Sequence, residues 1–272
     1  IIQTSHCKIK IDDTQKKMGD LFIHIGKIDQ GYLKIGENVN LLIDIRKRNN
    51  SKANHSATHL LHESLRRTLG KHVMQKGSLV APERLRFDFS HNKSIEKDEM
   101  VKINRMVNEM VEGSSDVQTR IMTPKEAVGL GAQALFGEKY GDEVRVVFMG
   151  KQNNSFFSTE LCGGTHVKNT QEIGKFRVVS QSSIASGVRR VEALRDKKLE
   201  EFERKSSEER TNKNKDLLNQ IMLIKSELDV LKADPIYNKN LTSADNLKNL
   251  TKQLDQRKVM IIINDKNKNK IT

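Results

Sequence analysis

The chain has 272 residues, with 48 Lys or Arg against 35 Asp or Glu and a formal net charge of +13. At 36% hydrophobic and 31% charged residues, it holds enough apolar surface for folded domains and is not disordered throughout. Its longest purely apolar run, Val259–Ile263, is far short of the ~20 residues that cross a bilayer, which excludes a helical membrane span. No basic start followed by an apolar stretch marks a secretory signal. Two cysteines, Cys7 and Cys162, cannot build a disulfide framework and fit a reducing, cytoplasmic compartment. The positive excess favours an anionic partner, nucleic acid first, although part of it sits in the Asn/Lys-rich stretch Asn264–Lys270. A first residue of Ile1 instead of Met reads as a position inside a longer chain, and the length suits two or three units.

In chain order, residues 1–50 read as a partial β-barrel or sheet. Leu21–Ile25 is an apolar run, Gly26, Gly31 and Gly36 punctuate the turns, and Val39, Leu41, Ile43 and Ile45 alternate with Asn40, Leu42 and Asp44. The polar run Arg46–Asn50 reads as a boundary. Ser51 or Asn54 then caps a helix that reaches Leu69 and stops at Gly70. A loop with a short strand is expected over Val80–Ser90, where Leu85, Phe87 and Phe89 alternate with Arg86 and Asp88. A helix over Ile95–Glu112 follows, striped by Ile95, Met100, Ile103, Val107 and Met110. Pro124 opens a further helical stretch through Leu135, and strands are expected at Glu143–Met149 and Ile173–Ser180. Strands broken by separate helices predict an α+β domain over residues 51–194, a two-layer arrangement of antiparallel sheet and helices.

Beyond Arg195 the composition turns to Lys and Glu, without glycine or proline until Pro235. Leu217, Ile221, Ile224, Leu228 and Leu231 are spaced 4-3-4-3, a coiled-coil seam. Residues 195–235 therefore read as a helical arm or hairpin, with self-association through it as one use of the seam. A helix over Leu241–Leu254 and a strand over Val259–Ile263 are expected in residues 240–272, the start of a domain cut short.

Two short segments carry the chemistry: His55-Ser56-Ala57-Thr58-His59 and Cys162-Gly163-Gly164-Thr165-His166. At about 100° per residue, His55, His59 and His62 share one arc of the helix, with Leu61 and Leu65 nearly opposite. That places the histidines off the core stripe, on an accessible face. A His pair at i, i+4 presents two imidazoles to one ion, and the second segment adds a thiolate and a third imidazole around a glycine turn. Zinc is the first choice for His55, His59, Cys162 and His166. His62 is an alternative ligand by face, or a neighbour of the site.

Longer motifs narrow the reading. Asn54–His62, Gln75–Val80, Arg84–His91, Ala134–Gly141, Glu160–Val167 and Gly187–Ala193 resemble the editing domain of alanyl-tRNA synthetases, over about Asp12 to Leu194. Threonyl-tRNA synthetases carry a related HxxxH/CxxxH domain, but the Cys-Gly-Gly-Thr-His context and the Arg84–Phe89 segment favour the alanine enzyme. The resemblance implies that His55, His59, Cys162 and His166 are zinc ligands. It also matches the order of barrel, editing domain, arm and C-terminal domain. Only the glycine usual in that family near Leu194-Arg195-Asp196-Lys197 is missing. Nothing here resembles an ATP site, which belongs to the family's aminoacylation domain.

The activity so implied is hydrolysis of the ester in mischarged Ser-tRNA(Ala) and Gly-tRNA(Ala). A pocket built for alanine rejects one methyl less or one hydroxyl more by only about 1–3 kcal/mol, so a second site is needed. Thr58, about 60° from the histidine arc, is the candidate contact for the serine hydroxyl. Gln75 orients water or the terminal ribose as the resemblance suggests. Cys162 and Gln75 are the expected catalytic residues, and Lys76, Arg84, Arg86, Arg189 and Arg190 the expected phosphate contacts. The rivals are a freestanding deacylase of the same superfamily and a non-catalytic tRNA-binding fragment with structural zinc.

Overall fold

The computed structural model of the chain describes residues 1–19, 21–133, 141–152, 155–231 and 233–268, with side chains in the last helix as far as Met260. Contacts divide the chain into two compact units, Ile1–Leu199 and Glu200–Thr272. All three sheets lie in the first and are antiparallel. The architecture is the α+β class expected from the sequence.

The first sheet takes strands β1 (Ile2–Gln3), β2 (Lys8–Lys17), β3 (Leu21–Gln30) and β4 (Asn40–Leu41) in the order β3-β2-β1-β4. In register, Ile28, Ile9, Ile2 and Leu41 form one row across all four strands. The alternation expected over Val39–Ile45 yields only the two-residue β4. Helix α1 (Ile45–Leu69) has already begun at Ile45, because the Asp44 side chain accepts from the Lys47 N–H and caps it. Neither Ser51 nor Asn54 is the cap, and Arg46–Asn50 is helix instead of a boundary. The C-terminal end matches its expectation: Gly70, at φ +121°, closes the helix by donating to Arg66 O.

After α1 come β5 (Gln75–Val80), β6 (Leu85–Ser90), α2 (Lys97–Glu112), β7 (Gln118–Met122), α3 (Pro124–Gly129), β8 (Val144–Gln152), β9 (Ser155–Leu161), β10 (Phe176–Ala185) and β11 (Val188–Arg195), with a 3-10 turn at Thr170–Ile173. The second sheet has the order β10-β11-β6-β5 and the third β7-β8-β9. Helix α3 ends far short of Leu135, its last carbonyls closed by the Leu130 N–H; residues 134–140 lie outside the described residues. The strand expected at Ile173–Ser180 begins at Phe176, since Asn169 caps the turn over Thr170–Ile173.

The core forms where α1 and α2 lie against the second sheet. Leu60, Leu61 and Leu65 of α1, Ile103 and Val107 of α2, and Phe87 and Phe89 of β6 are fully buried in one cluster. Each such side chain stabilises the fold by roughly 1.5–3 kcal/mol. Because side chains alternate along a strand, the same β6 that turns its phenylalanines to the core turns Arg86 and Asp88 the other way.

Two helices complete the chain, α4 (Asp196–Val230) and α5 (Ser243–Lys268). At the start of α4, Asp196 takes the left-handed conformation at φ +51°, which short polar side chains tolerate. In the second unit, the seam residues Ile221 and Leu228 are buried against Leu250 and Leu254 of α5, with Ile224 and Leu231 beside them. The seam thus has a partner within the chain. No strand lies at Val259–Ile263: α5 continues through it. β-Branched composition there does not make a strand, since a strand needs a pairing edge and the described residues of this unit offer none.

Arg195 ties α1 to the end of β11. It is buried, and its guanidinium donates to Asn54 Oδ1 (3.0 Å), Ile173 O (3.1 Å), and Asn50 O and Oδ1 (both 3.1 Å). Arg195→Met strands these acceptors and is expected to cost about 2–4 kcal/mol in urea unfolding. The exposed Arg105→Met should stay within about 0.5 kcal/mol; equal effects would contradict the buried tie.

Candidate metal centre

Helix α1 sets His55 and His59 one turn apart, and the hairpin of β8 and β9 delivers Cys162 one residue beyond Leu161. The Cys162 N–H donates to Arg145 O (3.0 Å) and closes that end of the hairpin. The Arg145 Nη1 donates back to Cys162 O (2.9 Å) and Gly164 O (2.7 Å), which curls the loop toward His166. Gly164 lies so close to His55 that a Cβ there would come within 2.3 Å of the ring's Cε1.

One donor atom from each of His55, His59, Cys162 and His166 lies within 4.8 Å of the other three, so the group can hold a metal ion. Cys162 Sγ is 3.5 Å from His55 Nε2 and 3.3 Å from His166 Nε2. Donors on a tetrahedral ion, at ~2.0–2.1 Å for nitrogen and ~2.3 Å for sulfur, stand roughly 3.5 Å apart, so the spacing fits. The opposite ring nitrogens are all engaged by the protein. His55 Nδ1 meets Thr165 O at 3.3 Å, His166 Nδ1 meets Ser56 Oγ at 3.2 Å, and His59 Nδ1 meets Glu160 Oε2 at 2.6 Å. A carbonyl or carboxylate accepts only, so Nδ1 of His55 and His59 donates and Nε2 presents its lone pair. His59 Nε2 is buried without a hydrogen-bond partner among the described residues, a costly state that a bound cation resolves.

Charge follows the same geometry. Burial pushes the Cys162 thiol up, but its close contacts with His166 and His55 and the nearby His59 outweigh it and bring the pKa to about 3, which favours the thiolate. For His59, burial is outweighed by the Glu160 carboxylate and by hydrogen bonds, and the value rises to about 10 with no ion bound, so a metal ion takes the Nε2 lone pair in exchange for that proton. Burial together with the neighbouring imidazoles lowers His166 to about 4. Glu160, despite its burial, is held well below the usual carboxylate range by His59 and His62.

The histidine arc is not the accessible face expected from the sequence. Strand β9 lays Glu160 against it, and His59 and His62 are 8% and 6% exposed; α1 is buried nearly all round from Ala53 to Leu65. His62 lies outside the four-ligand group and pairs with Glu160 Oε1 at 3.1 Å, its ring against Phe87.

A small cavity of about 80 Å³ adjoins the centre, lined by His55, Thr58, His59, His62, Gln75, Ser78, Gln133, Glu160, Leu161 and Cys162. Thr58 and Gln75 line this cavity beside His55, His59 and Cys162. Thr58 Oγ1 donates to Asn54 O at 2.8 Å, which leaves its lone pairs for a ligand. The five cationic candidates do not line this cavity. Lys76 and Arg84 are exposed, with Arg84 3.8 Å from Glu192. Arg190 grips Asp88 through two bonds of 2.7 and 2.8 Å, with Arg86 at 3.6 Å from the same carboxylate. Arg189 reaches Ser94 and Gln181.

Sequence reasoning passed over Glu160, Ser56, Ser78, Gln133 and Arg145. Only Glu160 left a signal: an acid beside Leu161 at the end of a strand whose neighbours are apolar or small.

Residues 144–192, which include Arg145, Glu160, Cys162 and His166, match the family described as the threonyl and alanyl tRNA synthetase second additional domain. The similarity extends over most of the chain to curated alanine–tRNA ligases. That of Mesorhizobium japonicum is 56% identical over 199 residues, 71% of this chain. Those of Parvibaculum lavamentivorans and Granulibacter bethesdensis are 51% and 53% identical, over 71% and 69% of the chain. The chain spans 22% of the length of each of these relatives. By this likeness the chain corresponds to a fragment of an alanyl-tRNA synthetase, of which residues 144–192 match that second additional domain.

Gly164→Ala tests the loop directly. The added methyl displaces the His55 ring and is expected to weaken metal binding at least tenfold, while thermal unfolding of the metal-free protein moves by no more than about 1 kcal/mol. Unchanged metal affinity would contradict the placement of His55.

Proposed function

We propose that this chain is an editing module that hydrolyses the ester of mischarged tRNA(Ala), with residues 51–194 carrying the activity and one zinc ion at His55, His59, Cys162 and His166. The single observation that carries this reading is the four-donor cluster adjoining a cavity lined by Thr58 and Gln75. When bound, zinc supplies Lewis-acid polarisation or a fixed anchor for the substrate.

The chain's own groups then do the sorting. A cavity of this size suits a small group such as glycyl, alanyl or seryl. Thr58, its proton committed to Asn54 O, accepts from a serine hydroxyl; an alanyl methyl leaves that acceptor unpaired at a cost of about 1–3 kcal/mol. Gln75, at the start of β5 on the cavity wall, orients the attacking water or the terminal ribose. Cys162 holds the thiolate that keeps a cation in place. Lys76 and Arg84, exposed on the second sheet and its hairpin, are two of the proposed phosphate contacts. Asp88 neutralises Arg190 and Arg86 in part.

Four protein donors complete a tetrahedron, and this favours a second reading, a tRNA-binding module whose zinc is structural. Cys162→Ala separates the two. The editing reading expects at least a hundredfold loss of Ser-tRNA(Ala) hydrolysis with loss of the metal. The structural reading expects unaltered hydrolysis, or none in the parent protein. A deacylation assay on Ser-, Gly- and Ala-tRNA(Ala) should show the first two cleaved and the third spared; equal rates on all three would defeat the proposal. Thr58→Val should narrow the preference for seryl over alanyl ester about tenfold, and an unchanged ratio would remove Thr58 from recognition.

A further inference from the structure

Among the described residues, Glu160 is the one buried acid in contact with the ligand set, and neither the motif reading nor the four-donor cluster gives it a task. It is 7% exposed and fully engaged. Oε2 takes His59 Nδ1 at 2.6 Å, Oε1 takes His62 Nδ1 at 3.1 Å, and Ser158 Oγ donates to Oε1 at 3.4 Å. The first two donors come from one face of α1, three residues apart, and the acceptor comes from β9, two residues before Cys162. A single side chain thus spans the two elements that supply the ligands.

We propose that Glu160 is the positioning residue of the centre, bracing His59 from behind and using His62 as its second anchor. The proposal deepens the metal reading and rests on it. An ionised carboxylate has no proton to donate, so both imidazoles must turn Nδ1–H toward it. That fixes His59 in the tautomer whose Nε2 is free for an ion, and the hydrogen bond raises the donor strength of that nitrogen. His62, packed on the Phe87 ring, keeps the carboxylate from rotating away. Without His62 and Ser158, one oxygen of a buried carboxylate would lack a donor, at a cost that favours rearrangement.

The substitution that discriminates is Glu160→Gln. An amide is nearly the same shape but accepts on one atom and donates on the other. One imidazole must then flip its tautomer or lose its bond. The parent chain, Glu160→Gln and His62→Phe are compared for zinc affinity by competition with a chelator, and for the visible spectrum of the cobalt-substituted protein. Outer-shell partners of a metal-bound histidine typically contribute 10–100-fold in affinity. Glu160→Gln is expected to weaken zinc by about that factor and to shift the cobalt bands. His62→Phe, which spares the Glu160–His59 bond, should weaken it by about threefold or more. A purely structural role would lower the melting temperature and leave the cobalt bands in place. If Glu160→Gln fails to fold, His62→Phe decides alone. A parent that binds zinc while both variants bind it equally well, with unchanged cobalt bands, overturns the brace and leaves the metal reading standing. A parent that takes up no zinc overturns both.

Discussion

Three imidazoles and a thiolate crowd together where α1 packs against the end of the β8–β9 hairpin, and the rest of the site depends on that crowding. Such an arrangement is not self-sufficient. A buried ring nitrogen without a partner costs on the order of 1–3 kcal/mol, and His59 Nε2 is in that state. The protein has arranged everything else about the cluster to tolerate it. Each ring has its second nitrogen engaged by a carbonyl, a hydroxyl or a carboxylate, and the sulfur is drawn to its charged form by the imidazoles around it. Every one of these features turns a lone pair toward the same point.

The architecture explains how such a point can be held rigidly. α1 is enclosed by the second sheet and by β9, so its rotation is fixed by Leu60, Leu61 and Leu65 in the core. The hairpin is fixed in turn by Arg145, whose guanidinium gathers the carbonyls of Cys162 and Gly164. Glycine at 164 then has a specific use, since any side chain would strike His55. The site is thus positioned by a helix, a strand end and a backbone clamp, and only the loop between Cys162 and His166 departs from regular structure.

Much of this was legible from spacing. Ligands one helical turn apart and the Cys-x-x-x-His loop announced the cluster, and the alternation at Leu85–Phe89 and the β-branched run Glu143–Met149 located two strands of the same unit. The 4-3-4-3 seam gave a packed helix, although its partner, α5, was not foreseen. What spacing alone could not supply was competition between local signals. Asp44 began a helix inside a stretch that alternates like a strand, and a β-branched run near the C-terminus stayed helical because no strand edge met it. Glu160 was hidden for a related reason: an acid in a strand reads as solvent-facing until the tertiary fold brings two histidines over it.

The account stands or falls on one cation shared by helix and loop. X-ray absorption at the zinc edge of the purified, metal-loaded chain measures the donor set without reference to activity. The expected result is one sulfur at about 2.3 Å and three nitrogens at about 2.0–2.1 Å. A shell without sulfur, or one filled only by oxygen and nitrogen from solvent and surface groups, would contradict it.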